Sequence, residues 1–299
     1  MTLCLAWKDN SKYYFSSDSR LRNESGIITD KASKIFKINI KILGPSNREN
    51  PNAENKILLE SSYGLCFAGS YLNGSLLADT MNQVLTNLQG APNFSDFSFS
   101  NLSNIAFNIY KQVSTQLMEI NQINGLSNVL FGGYCIEKSK YIFYEFGFKV
   151  NTQIDFYKNE LNDNDFPKYI GDNSAKEKAT ELAQNLGTNY SHFHMLRDII
   201  LDTEINTVGG DIQTGIFENK QFDTHGILEY HIANNAHNFP EVKTDFKYRG
   251  IKIDYDDLEQ SSGNIHRSLS FINPFENERN QYHKEIMRRI DEDIANQMK

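Results

Sequence analysis

The sequence predicts an α+β fold in which two antiparallel sheets face each other and helices pack outside them. Three observations predict it. Apolar residues recur first at period two and then at helical period, in the order strands, two helices, strands, two helices, strands. The strand segments are short and joined by turn-forming residues, as antiparallel neighbours require. Each sheet must also cover both of its apolar faces, which a second sheet on one side and helices on the other achieve.

The elements follow in order. Residues 2–8 and 13–18 are rich in β-formers and flank Asp9-Asn10-Ser11-Lys12, a hairpin signal. Residues 27–29 and 34–40 read as a second pair of short strands. Gly44 to Asn55 is polar and predicts an exposed loop. Residues 57–60 and 63–67 resume the strand pattern, and Ala68-Gly69-Ser70 changes the period. Leu72, Leu76, Leu77, Met81, Val84, Leu85 and Leu88 then recur at helical spacing. After Pro92, Leu102, Ile105, Ile109, Val113 and Leu117 predict a second helix. Strands are expected at 129–137 and 141–149, with a third at 152–157, and helices at 175–186 and 191–201. Gly209-Gly210 breaks the chain before closing strands at 212–218 and 226–232.

Residues 2–235 therefore read as one domain and 236–299 as a C-terminal extension, because the pattern weakens from Ala236. The acidic run from Asp254 to Glu259 lacks the glycine and closing glutamate of a calcium loop and reads as solvated surface. Asn273-Pro274-Phe275-Glu276 looks like a helix start, with Asn as cap, Pro in the first turn and Glu at the third position. Tyr282, Ile286, Ile290 and Ile294 would line one face of that last amphipathic helix.

Composition narrows the function. With 299 residues, 39% of them hydrophobic, the chain can bury a large core. A net charge of −8 argues against general nucleic-acid binding, which needs a basic footprint. No run approaches a membrane span, and no basic segment followed by a long apolar one suggests export. Cys4, Cys66 and Cys135 show no paired spacing, so reduced thiols and a cytoplasmic location are expected. No phosphate loop, dinucleotide fingerprint or HExxH pair is present, so no cofactor or metal is expected. His192 and His194, two apart, would point to different faces of a helix and read as structural.

The chemistry is concentrated at the start. Thr2 follows the initiator Met1 and opens an apolar strand. Removal of Met1 is expected because the second residue is small. Thr2 would then carry a hydroxyl nucleophile and a free α-amine titrating near 7.7–8.0, a base close to neutrality. Asp18 lies sixteen residues on, at the end of the second strand, and Lys34 a further sixteen. Adjacent antiparallel strands would gather all three. A lysine beside the nucleophile stabilises a developing alkoxide and keeps the amine neutral, and an aspartate orients that lysine.

Together these residues resemble the proteasome β-subunit family of N-terminal-nucleophile hydrolases. The matching segments are Thr2, Ser17-Asp18-Ser19-Arg20, Lys31-Ala32-Ser33-Lys34-Ile35-Phe36 and Phe67-Ala68-Gly69-Ser70, with Leu130-Phe131-Gly132-Gly133 and Val208-Gly209-Gly210 as weaker matches. The resemblance covers residues 2–232 and implies a four-layer αββα sandwich and homo-oligomers. It also implies that the Gly69 N–H faces the oxyanion, a role a residue without a Cβ suits. Where the family supports the amine with serines and an aspartate, this chain has Ile170-Gly171-Asp172-Asn173-Ser174 and Ile205-Asn206-Thr207-Val208. Asp172, Ser174, Asp202, Glu204 and Thr207 are the candidate substitutes. The function expected is an N-terminal threonine amidohydrolase, cleaving peptide bonds through an ester on Thr2. The alternatives are an inert scaffold subunit and a hydrolase of small amides.

Overall fold

The computed structural model describes residues 2–45, 56–91, 96–235, 240–253 and 269–297. Met1, the loop core 46–55, Pro92, Ala236 and the acidic run 254–259 lie outside the described residues, as does the side chain of Ile294. The protein is mixed α+β, with largely antiparallel sheets.

The first hairpin forms where the sequence expects it. β1 (Leu3–Asp9) and β2 (Lys12–Ser17) are joined by Asn10-Ser11, and Asn10 takes φ 53°, a left-handed conformation that Asn tolerates. Next come β3 (Leu21–Asn23) and β4 (Gly26–Thr29), a separate two-stranded sheet. The expected pairing of 27–29 with 34–40 is therefore corrected. Residues 26–29 pair back onto 21–23, and β5 (Ile35–Leu43) pairs with β6 (Ile57–Gly69) instead. β6 is one continuous strand rather than two, because Ser62 in its middle is satisfied while buried. Its hydroxyl donates to the Phe222 carbonyl and accepts from the Phe222 N–H, both at 2.9 Å.

Helices α1 (Tyr71–Leu85) and α2 (Phe99–Asn121) follow, with β7 (Leu88–Gln89) between them. Serine caps start both helices: Ser70 accepts from Asn73 N–H and Ser98 from Asn101 N–H. Then come β8 (Ser127–Cys135), β9 (Lys140–Val150), β10 (Ile154–Leu161) and β11 (Lys168–Gly171). After α3 (Asn173–Leu182) and α4 (His192–Leu201), β12 (Gln213–Glu218) and β13 (Gln221–Asn234) form a second hairpin. Beyond 235, β14 (Pro240–Tyr248) pairs along β13, β15 (Ile251–Ile253) pairs with β14, and β16 (Phe271–Ile272) adds to β13.

The last helix, α5, spans Glu276–Gln297. Asn273 does not cap it, for its side-chain oxygen is buried without a partner. Phe275 is fully buried beneath it, and Arg197 of α4 forms a two-pronged pair with Glu278.

Strand order is β11-β1-β2-β12-β13-β14-β15 in one sheet and β10-β9-β8-β6-β5-β7 in the other. Alternation along β1 distributes its side chains between two cores. Leu3, Leu5 and Trp7 pack with Phe193, Leu196 and Ile199 of α4. Cys4 and Ala6 pack instead with Cys66, Ala68 and Leu130, which come from the other sheet. On β6, Tyr63, Leu65 and Phe67 face α1 and α2 in a third cluster. Strands buried on both faces explain the continuous apolar runs in the sequence. No described helix is long and apolar enough to cross a membrane.

His192 and His194 are structural. His192 stacks on Trp7 at 4.5 Å, its Nε2 is buried without a partner, and burial pushes its pKa down to about 4 from 6.5. A base whose folded pKa is depressed binds fewer protons than in the unfolded chain, so stability falls as pH drops from 6.5 towards 4. His192 is expected to remove about 2 kcal/mol between neutrality and pH ~5. Urea unfolding of His192→Phe at both pH values should show that much less acid sensitivity; an unchanged difference would disprove it.

Candidate active site

The register of the first hairpin builds the site. Cys4 pairs with Ser17, so Asp18 falls opposite Leu3 and beside Thr2. The Asp18 N–H donates to the Leu3 carbonyl at 3.4 Å. Lys34 arrives from the other sheet, immediately before β5, where its carbonyl accepts from Phe67 N–H at 3.2 Å. Thr2, Asp18 and Lys34 are all buried, with 3%, 0% and 3% exposure. The structure brings together the three residues that the sequence singles out.

Their contacts are mutual. The Thr2 hydroxyl donates to Asp18 Oδ1, and Lys34 Nζ donates to Thr2 Oγ1. Lys34 Nζ also pairs with Asp18 Oδ2 at 2.9 Å. Backbone N–H groups complete the shell: Leu3 donates to Oδ1 and both Arg20 and Gly209 donate to Oδ2, each at 3.1 Å. A buried carboxylate with five donors is fully compensated, and the ammonium it holds lies against the nucleophilic oxygen. The Asp18 carboxylate thus touches the hydroxyl itself, a closer role than orienting Lys34.

Around this trio opens a cleft of about 850 Å³. Thr2, Lys34, Gly69 and Thr207 line it, with β3 on one side and Tyr71 on another. Gly69 has φ 125°, and a Cβ there would fall 2.7 Å from the Leu126 carbonyl oxygen. Its glycine is therefore required by backbone geometry alone, whatever its N–H does.

The candidate supporting residues divide. Asp172 caps α3, accepting from Ala175 N–H at 3.1 Å, while its own N–H donates to the Thr2 carbonyl at 2.9 Å. It therefore fixes the Thr2 backbone through its main chain. Thr207 lines the cleft and has a buried hydroxyl without a partner. Ser174 and Glu204 are exposed, and Asp202 accepts from Glu204 N–H at 2.9 Å; none of the three lines the cleft. Cys4 donates from its buried thiol to the Phe67 carbonyl at 2.9 Å and has no access to the cleft.

Sequence reasoning overlooked three contributors. Gly209 supplies an N–H to Asp18, though its glycine pair read only as a weak family match. Arg20 binds Asp30 through Nε at 2.8 Å and the Val208 carbonyl at 3.2 Å, tying together the segments on either side of Asp18. Its guanidinium holds the Asp30 carboxyl below its ordinary range. Gln213 accepts from the Lys34 N–H at 2.9 Å. The Ser-Asp-Ser-Arg motif was a usable signal for Arg20; a lone buried glutamine gave none. Among the described residues, no cluster of three or more His, Cys, Asp or Glu side chains is arranged to hold a metal.

No family model matches the chain, and no curated protein matches it. Among solved structures, it is similar to an Anbu (Gly-1) mutant from Hyphomicrobium sp. strain MC1, at 15% identity and TM-score 0.49, over 90% of this chain and 99% of that one. It is also similar to Anbu, an ancestral β-subunit, from Yersinia bercovieri, at 16% identity and TM-score 0.46, over 75% and 86%. Membership of the proteasome β-subunit family, expected from the short motifs, is corrected accordingly: the motifs hold around three side chains, while the whole chain matches no family model and the Anbu structures it is similar to share low identity and modest TM-scores with it.

Proposed function

We propose that this protein is an N-terminal threonine hydrolase of amide bonds, acting after removal of Met1. The observation that carries the reading is the buried hydrogen-bonded trio of Thr2 hydroxyl, Asp18 carboxylate and Lys34 ammonium beside an open cleft. Thr2 Oγ1 attacks the amide carbonyl carbon, and its proton passes to the α-amine. Lys34 stabilises the oxygen as it loses that proton. The Gly69 N–H takes the role of oxyanion donor. Collapse of the tetrahedral intermediate breaks the C–N bond, and the amine returns the proton to the leaving nitrogen. Water then hydrolyses the ester, releasing the acid and regenerating Thr2.

Peptides fit the cleft better than small amides. β3 pairs only with β4 among the described strands, and its residues Leu21, Arg22 and Asn23 line the cleft. A free strand edge supports binding of an extended peptide through backbone hydrogen bonds. The accompanying architecture we infer is a four-layer αββα sandwich, supported by one apolar cluster drawn from both sheets and two drawn from a sheet and its helices.

A peptidyl vinyl sulfone tests the site directly. Mass spectrometry of the N-terminal peptide should find the adduct on Thr2, in a chain that has lost Met1. An adduct elsewhere, or none, would reject the proposal.

A further inference from the structure

Gln213 opens β12 and is buried, with 1% exposure. Both polar atoms of its side-chain amide are engaged. Oε1 accepts from the Lys34 N–H at 2.9 Å, and Nε2 donates to the Ala32 carbonyl at 2.6 Å and the Arg249 carbonyl at 3.4 Å. One amide therefore grips the backbone on both sides of Ser33. Its third bond reaches the turn between β14 and β15, in the region beyond 235.

That turn is fitted closely to the site. Gly250 has φ 78°, and a Cβ there would lie 2.7 Å from Ser19 Cβ. Ser19 follows Asp18, and its hydroxyl donates to the Asp30 carbonyl at 2.5 Å while accepting from the Asp211 N–H at 2.7 Å. Lys247, near the end of β14, is anchored by Asp211 and by Glu229 at 2.7 Å. The C-terminal region thus touches the segments that present both Asp18 and Lys34.

We propose that Gln213, seated by the Arg249–Gly250 turn, is the positioning residue that holds Lys34 against Thr2 and Asp18. The reason is mechanical. A lysine side chain has four rotatable bonds, so the place of its ammonium depends on the backbone from which it starts. A misplacement of about 1 Å at a reacting group costs on the order of 10²-fold in rate. Any catalytic consequence rests on the function proposed above; the geometry does not.

Gln213→Met keeps the length and shape of the side chain and removes all three hydrogen bonds. Hydrogen exchange at the Lys34 amide, compared with wild type, should speed at least ~10-fold. Gly250→Ala, which pushes the turn off Ser19, should act in the same direction and stands in if Gln213→Met folds poorly. In turnover, Gln213→Met should lower kcat by ~30–100-fold and change KM less than about twofold. The acid limb of kcat/KM should move up by about one pH unit, because a cation that withdraws from the α-amine no longer depresses its pKa.

Unchanged exchange in the folded variants overturns the inference. So does faster exchange with kcat and the acid limb unmoved, which would make Gln213 merely structural. If wild-type protein hydrolyses no amide in a Thr2-dependent way, the proposed function falls by itself. Exchange and a crystal structure of Gln213→Met, read at the Lys34–Asp18 pair, then decide the positioning claim.

Discussion

Thr2→Ala is expected to lose amide hydrolysis by a factor on the order of 10⁴ or more in kcat, while the protein stays folded. The hydroxyl is the only group on this residue that can form the ester, and the neighbouring thiol, Cys4, is buried and donates its S–H to the Phe67 carbonyl. Stability should change little. Asp18 keeps its partners in Leu3, Arg20, Gly209 and Lys34, so the lost hydroxyl costs about 1 kcal/mol. Thr2→Ser retains both functional groups and should keep measurable turnover. A chain that retains Met1 should be as inactive as Thr2→Ala, because an amide nitrogen cannot act as the base. Intact-mass measurement identifies which chain is assayed, and thermal melting confirms folding. Full activity in Thr2→Ala of verified mass would refute the mechanism.

The sequence made part of this site legible for a physical reason. A two-residue turn fixes the pairing of β1 with β2, so the place of Asp18 beside Thr2 follows from the chain itself. Lys34 is different. It precedes a strand of the opposite sheet, so the expectation that adjacent strands gather all three residues is corrected: Lys34 reaches Thr2 and Asp18 across the facing sheets. The short motifs meet around these three side chains, yet the expected family membership is corrected, since a few side chains can match where the whole chain does not.

Elsewhere the missed elements share a property. β3 is short and partly exposed, and most of β14 is not deeply buried, so no strong apolar period marks them. Ser62 looked like a break because its hydroxyl is satisfied across the interior by Phe222, a partner 160 residues away. Ser174, Asp202 and Glu204 were nominated by position in a motif, and the backbone carries them away from the cleft.

The second large effect concerns the buried ion pair, and it should be asymmetric. Asp18→Asn leaves the Lys34 ammonium with 3% exposure and no carboxylate, which should destabilise the fold by about 3–5 kcal/mol. Lys34→Met leaves Asp18 with four donors, the Thr2 hydroxyl and three backbone N–H groups, so its cost should be smaller, about 1–3 kcal/mol. Both variants should lose turnover by on the order of 10²–10³-fold: Lys34→Met removes the charge that stabilises the Thr2 oxygen, and Asp18→Asn removes the carboxylate that holds that charge in place. The double variant Asp18→Asn/Lys34→Met contains no unpaired ion and should be more stable than Asp18→Asn alone, despite carrying one more substitution. Urea unfolding of the four proteins gives the coupling directly. If the double variant is no more stable than Asp18→Asn, the ammonium is not a buried charge held by that carboxylate, and the electrostatic basis of the mechanism goes with it.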